Sequence, residues 1–386
     1  MAILNRNNFS YIYPNSIDAR TDTFVYQIRD WNDADYWYCE FLIGEGFKTF
    51  KIDSLVPGDI LDKIKTDDKT FLVLCNCHEA FHSIVNPIYE YVIHYANIPP
   101  SKVIVLTESA DLHTVVLDYA RKNNVQPFNV EWITVFQGGV QNEKNRQLEV
   151  PGYTEPKTLT VKPYPKRYLN FNRRWRFHRP ALVSLLIAKG ILDKGHVSLG
   201  KSDCGTRWDT ILWWIENRVS EDPELKTLLE ANREKILTTP DLYLDSTDLM
   251  SNQAALTTDT DNLYADTLVS ISSETNFFPE FETGRFLSEK TWKPVAYRHP
   301  FIVVSVPRTL ELIRSLGYKT FHPIIDESYD TEEDPVRRLK LIANEIERIS
   351  NLSDEEVTKF VLDIAEIVEH NYNHLMNNKT FTIKTL

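Results

Sequence analysis

Apolar residues along this chain fall into short runs separated by amphipathic stretches. TFLVLCN (Thr70 to Asn76), KVIVLT (Lys102 to Thr107) and VEWITVF (Val130 to Phe136) have strand length and few polar interruptions, which predicts strands buried on both faces. Between them, His82 to Ala96 and Asp111 to Asn123 repeat their apolar residues at helical spacing. Strand and helix in strict turn imply a parallel sheet. The alternation resumes at Arg167 with RYLNFNRR as a strand, a helix over His178 to Lys189 and a strand near His196 to Leu199. A helical insertion follows (Trp208 to Asn217, Pro223 to Ile236), then a buried strand over Thr267 to Ser272, a helix opening at Ser288 and an apolar strand over Phe301 to Val304. Helices over Pro307 to Leu316, Pro335 to Ser350 and Ser353 to Met376 complete the pattern.

Two stretches carry no clear period. Met1 to Asp53 is rich in aromatic and polar residues, which predicts irregular structure with short strands. From Gln137 to Lys166 the chain holds Gly138-Gly139 and prolines at 151, 156, 163 and 165 without an apolar repeat, the composition of a linker. The expected organisation is therefore α/β, with one Rossmann-like domain over residues 1–150, a linker over 151–166 and a second over 167–386 with helices at its end. A chain of 386 residues, 42% hydrophobic and 25% charged, has room for two such cores. Its apolar runs are too short to span a bilayer, and its start lacks a signal-peptide core, so a cytoplasmic protein without membrane insertion is expected. Cys39, Cys75, Cys77 and Cys204 form no disulfide framework and no metal-binding pair. A net charge of −12 disfavours indiscriminate binding to nucleic acid.

Candidate chemistry concentrates in Thr267 to Ser305, where strand, loop, helix and strand follow one another. Glu274 stands at a strand end, Ser288 can cap the helix, and Glu289 and Lys290 lie in its first turn; Lys293 shares a face with Lys290. Unpaired N–H groups at such a helix start suit an anionic ligand. The plain alternative is helix-start chemistry. Trp292 and Pro294 fit packing. Ser273 to Asn276 and Ser288 to Lys290, with the following Glu-Lys-Thr-Trp-Lys-Pro, resemble the donor-binding segment of nucleotide-sugar glycosyltransferases of the GT-B type. The likeness is to the α-1,3-fucosyltransferase motif and to glycosyltransferase-like proteins of tailed phages. It spans about forty residues well and departs where Phe-Glu-Asn becomes Ser-Glu-Thr. It implies two facing Rossmann-like domains, a nucleotide-diphosphate sugar as donor with no metal, the donor bound by the second domain, and ribose hydroxyls on Glu289.

A second cluster, Asn170 to Arg179, runs from a strand end into a helix and carries four arginines and two asparagines at a turn where guanidinium forks could hold diphosphate. By itself such a cluster reads as a solvated basic turn. The resemblance assigns Arg173 and Arg176 to the pyrophosphate, with Arg179 and Asn172 behind them. A general base for an inverting transfer is expected at strand ends of the first domain. Glu79 is the first choice and His78 the second, with Glu108 and Asp111 following. The His-Glu-x-x-x-His spacing of that segment is not the zincin pattern, so no metal is expected. Three readings stand: transfer to a glycan or small hydroxyl acceptor, transfer to a hydroxylated base in DNA in a phage enzyme acting in the host cytoplasm, and a non-catalytic nucleotide-binding protein. The DNA reading draws on Lys162, Lys166, Arg167, Arg173, Arg174 and Arg176.

Overall fold

A computed structural model describes residues 11–13, 23–29, 35–41, 56, 58–76, 82–156, 158–172, 176–199, 223–238, 256, 258–278, 284–377 and 383–385. The chain divides into two compact units, the first of residues 1–138, 279–286 and 379–386, the second of 139–278 and 287–378. Both are α/β. Among the described residues no helix is long and apolar enough to cross a membrane.

The first unit is built on a five-stranded sheet in the order β2-β3-β4-β5-β6: Thr23–Arg29, Asp35–Phe41, Thr70–Asn76, Val103–Thr107 and Asn129–Trp132. Only β2 and β3 are antiparallel. They are seven residues each, longer than the irregular amino-terminal pattern predicts. A separate strand β1 (Tyr11–Tyr13) pairs in parallel with β11 (Ile383–Thr385). Helix α1 (Gly58–Thr66) has only Leu61 and Ile64 buried, too little period to stand out in the sequence. The helical stretch α2 begins as a tight turn at His82–Ile84, continues over Val85–Pro87 and widens over Ile88–Tyr95, where the Ala96 N–H reaches back to Tyr91 O. Helix α3 (Leu112–Asn123) follows β5.

The expected strand through Phe136 and linker from Gln137 are corrected. Beyond Trp132 the chain turns into a fifteen-residue helix α4 (Val135–Glu149), which contains Gly138 and Gly139 and within which the two units divide. Its buried positions are Gln137, Val140, Gln141 and Lys144. These have helical spacing but are mostly polar, so a hydrophobic periodicity had nothing to register.

The second unit has a parallel sheet in the order β10-β9-β7-β8: Phe301–Val304, Val269–Ser273, Tyr168–Asn170 and Gly195–Val197. Gly195 sits opposite Tyr168, and a Cβ there would lie 2.3 Å from the Tyr168 ring, which explains a glycine in a strand. Helices α5 (His178–Ala188), α6 (Pro223–Ala231), α7 (Arg233–Thr238), α8 (Thr258–Asp266), α9 (Glu289–Ala296), α10 (Thr309–Ser315), α11 (Pro335–Ser350) and α12 (Asp354–Asn377) belong to this unit. The expected helix at Trp208 to Asn217 lies outside the described residues. The chain leaves β7 to form β8 on one side and later adds β9 on the other. Strand order therefore reverses between β7 and β9, the place where open α/β sheets bind ligands.

Buried His299, just before β10, ties this sheet together. Its Nδ1 lies 2.8 Å from Ser270 Oγ and its Nε2 2.9 Å from Thr267 O, a pairing that suits the neutral ring. Burial lowers its pKa from 6.5 to about 4. A folded value below the unfolded one contributes stability that is present above pH 6.5 and is lost as pH falls towards 4. The gap corresponds to about 3 kcal/mol, at about 1.4 kcal/mol per pH unit. Urea unfolding of His299→Gln should therefore show a smaller loss than wild type between these pH values. Parallel profiles would refute the assignment.

Candidate functional site

The sequence rule that small polar residues start helices holds at α9. Ser288 caps it, accepting from Lys290 N–H at 3.4 Å. The cap is then sealed by a residue fourteen positions earlier. Glu274, wholly buried at the end of β9, accepts from Ser288 N–H at 3.1 Å, Ser288 Oγ–H at 2.5 Å and Thr291 Oγ1–H at 2.6 Å. Burial pushes its carboxyl up, against the pull of Lys290 and these hydrogen bonds. The helix start therefore already holds a carboxyl group.

Three other groups hold the loop after β9. His178 Nε2 lies 2.9 Å from Glu274 O, with its ring stacked on Phe277 at 4.9 Å. Burial, with Arg179 alongside, drives its pKa well below the usual value. Arg179, expected at diphosphate, is buried and donates through its guanidinium to Ser273 O at 2.9 Å and Glu274 O at 3.3 Å. It serves the loop because backbone carbonyls at a buried strand end need donors. Arg338 completes the clamp by donating to Phe277 O at 2.6 Å.

Glu289, Lys290 and Lys293 come together on one wall of a narrow cleft of about 20 Å³, faced by Leu169 and Phe171 at the end of β7, by Ser272 of β9 and by Tyr264 of α8. The cleft thus lies where strand order reverses. Lys290 Nζ donates to Glu289 Oε1 at 2.8 Å and to Ser288 Oγ at 3.0 Å. Burial pushes the Glu289 carboxyl up, but Lys290 and Lys293 together outweigh it and hold the pKa below the usual range. The second oxygen, Oε2, is buried and has no hydrogen-bond partner. A buried ionised acceptor without a donor is costly, and a ligand hydroxyl would satisfy it.

The remaining expected residues are dispersed. Asn172 is buried just past β7, its N–H donating to Ser198 Oγ at 3.0 Å and its amide to Asn170 Oδ1, while its own Oδ1 has no partner. Arg176 is half-buried in the turn before α5. Arg173, Arg174, Glu79 and His78 lie outside the described residues. Lys162, Lys166 and Arg167 do not line the cleft. They donate to Ala265 O at 2.7 Å, Asp193 O at 2.5 Å and Leu352 O at 3.1 Å. Those carbonyls end helices or turns, where cations are favoured. Lys166 and Arg167 moreover precede β7, at the other end of that strand from Asn172.

In the first unit, Glu108 at the end of β5 accepts from Phe136 N–H at 2.8 Å in the first turn of α4. Asp111 accepts from Arg285 N–H at 2.7 Å and from its guanidinium at 2.6 Å. Both secondary candidates for a base are thus engaged in holding chain segments. What sequence reasoning missed is the aromatic wall: Tyr264 sits in a weakly periodic helix, and only the fold brings it to Glu289.

No protein-family model matches the chain, and no curated protein matches it. Among solved structures the chain is similar to a UDP-forming α,α-trehalose-phosphate synthase from Burkholderia xenovorans, at 9% identity and a TM-score of 0.36, covering 80% of this chain and 72% of that one. An α,α-trehalose-phosphate synthase (UDP-forming) from Burkholderia vietnamiensis gives 10% identity and the same TM-score, over 80% and 73% of the two chains.

Proposed function

We propose that the chain is a GT-B-type glycosyltransferase that moves a sugar from a nucleotide-diphosphate donor to an acceptor hydroxyl with inversion. The observation that carries this is the buried, partnerless Oε2 of Glu289, in a cleft at the reversal of strand order with two lysines beside it. A carboxylate with one oxygen on an ammonium and the other bare can accept from a ribose hydroxyl. Lys290 and Lys293 supply positive charge close by, and Phe171 and Tyr264 supply apolar walls. Arg173 and Arg176, which follow β7 along the chain, are the further diphosphate ligands. Arg179 and Glu274 support the site from behind. The acceptor is a glycan or small hydroxyl compound. Of the six cations behind the DNA-acceptor reading, Lys162, Lys166 and Arg167 each donate to a backbone carbonyl.

The test is a thermal-shift panel of UDP, GDP, ADP and CMP and their sugar conjugates. At least one should raise the melting temperature, since a ligand at a hundred times its Kd stabilises by about 2.7 kcal/mol. Glu289→Gln should weaken the nucleotide by about 1.5 to 3 kcal/mol while leaving competition by free pyrophosphate unchanged, because the lost contact is to ribose. A panel with no shift would remove the nucleotide reading.

A further inference from the structure

A buried polar network adjoins the cleft without lining it. Tyr297, directly after α9, stacks on Tyr264 of α8 with ring centroids 4.2 Å apart and planes at 18°. Its hydroxyl donates to Asp261 Oδ1 of the same helix α8 at 2.5 Å, and its carbonyl accepts from Thr158 Oγ1–H at 2.5 Å. Asp261 is further held by the Gln147 amide at 3.0 and 3.2 Å. Behind the Tyr297 ring, at 4.8 Å from its centroid, lies the ammonium of Lys144, whose side chain is wholly buried and pairs with Glu155 at 2.7 Å.

Burying a lysine, an aspartate and a tyrosine hydroxyl together is no stabler than an apolar core of the same shape, so the network's consequence is geometry. That geometry is specific. Tyr264 is one wall of the cleft and α9 the other, carrying Glu289 near its start and Lys293 and Pro294 near its end. The Tyr297–Tyr264 stack and the Tyr297–Asp261 bond join these walls where α9 stops.

We propose that Tyr297 and Asp261 are positioning residues, a staple between α8 and the end of α9 that sets the width of the Glu289 cleft and with it the choice of nucleotide. This rests on the donor-site reading above. Neither residue touches the ligand. Aromatic stacking adds to the bond because an offset pair resists sliding as well as separation, and a site is selective only when its walls are held from behind.

The experiment has two arms on the full chain. In the ligand-free protein, hydrogen exchange of Tyr297→Leu should rise at least tenfold across Leu263 to Asp266 and Lys293 to Ala296, while β9 and β10 stay as in wild type. Unchanged exchange at the two helices would overturn the staple. In the second arm, dissociation constants for UDP and ADP are compared. Their ratio should move about tenfold towards one in Tyr297→Leu, and should stay at the wild-type value in Asp261→Asn, whose amide oxygen still accepts from the Tyr297 hydroxyl. A lower melting temperature with an unchanged ratio would mean a merely structural role and overturn the proposal. If Tyr297→Leu does not fold, Tyr297→Phe, which keeps the ring and removes its bond to Asp261, carries the same comparison with Asp261→Asn. Should wild type bind none of UDP, GDP, ADP and CMP, the donor reading fails and the exchange arm still decides the staple.

Discussion

Glu274→Ala is expected to cost the second unit about 3 to 5 kcal/mol in urea unfolding, because three donors around one buried carboxyl lose their acceptor at once. Glu274→Gln should cost about 1 kcal/mol, since an amide oxygen can still take Ser288 N–H or Thr291 Oγ1–H. The pH dependence supports the distinction. Burial raises the folded pKa of Glu274 above its ordinary 4.5, so its contribution is fully present below about pH 4.5 and declines as the pH rises through the folded value. The glutamine variant removes that decline. Equal losses in the alanine and glutamine variants would show that charge matters at this position and not the cap. A ligand role predicts a different pattern, with stability retained and nucleotide affinity lost in both.

The contrast between Glu274 and Glu289 shows what a sequence can and cannot disclose about this site. That both carboxylates belong to one strand, loop and helix unit is legible from the apolar run before Glu274 and the Ser-Glu-Lys start after it. Their division of labour is not. It depends on which carboxyl the loop folds back against Ser288 and which is left beside Lys290, and fourteen residues of separation carry no such information. The same holds for the cations. Arg179 and Arg176 are three apart on one turn, yet the first is consumed by Ser273 and Glu274 carbonyls and the second stays half-exposed.

Elements with an apolar period and a local stop signal are legible almost to the residue. The strand Phe301–Val304 and the helix Pro335–Ser350 fall where their patterns put them. In the second case Asp334 caps by accepting from Arg337 N–H at 2.6 Å, ahead of a proline at the first position. Helix α4 shows the opposite limit. Its buried face uses Gln137, Gln141 and Lys144, which are satisfied by partners such as Met376 O for Gln141 and Glu155 for Lys144. A helix whose inner face is polar writes no hydrophobic repeat, and its two glycines argue for a turn that the tertiary contacts override. For that reason helix α4 escaped the sequence pattern and its residues read as a linker.

Glu79→Ala is expected to lower turnover by about 10² to 10⁴ while leaving the nucleotide-induced shift in melting temperature intact, because a general base acts in the transition state and the proposed donor site belongs to the second unit. The expectation rests on position along the chain. Glu79 follows Asn76, the last residue of β4, and β4 is the middle strand of the five-stranded sheet. Loops at the carboxyl end of a central parallel strand are where such a sheet presents reactive groups. Glu108, at the end of the neighbouring strand, is committed to Phe136 N–H, and Asp111 to Arg285, so their alanine variants should lose stability and leave turnover per folded molecule near wild type. Measuring kcat and melting temperature together on the three variants separates a base from a brace. If Glu79→Ala keeps its turnover, the same measurement moves to His78 one residue earlier. If His78→Ala keeps it as well, no base stands at the end of β4, and inversion assisted from the first unit gives way to a retaining transfer.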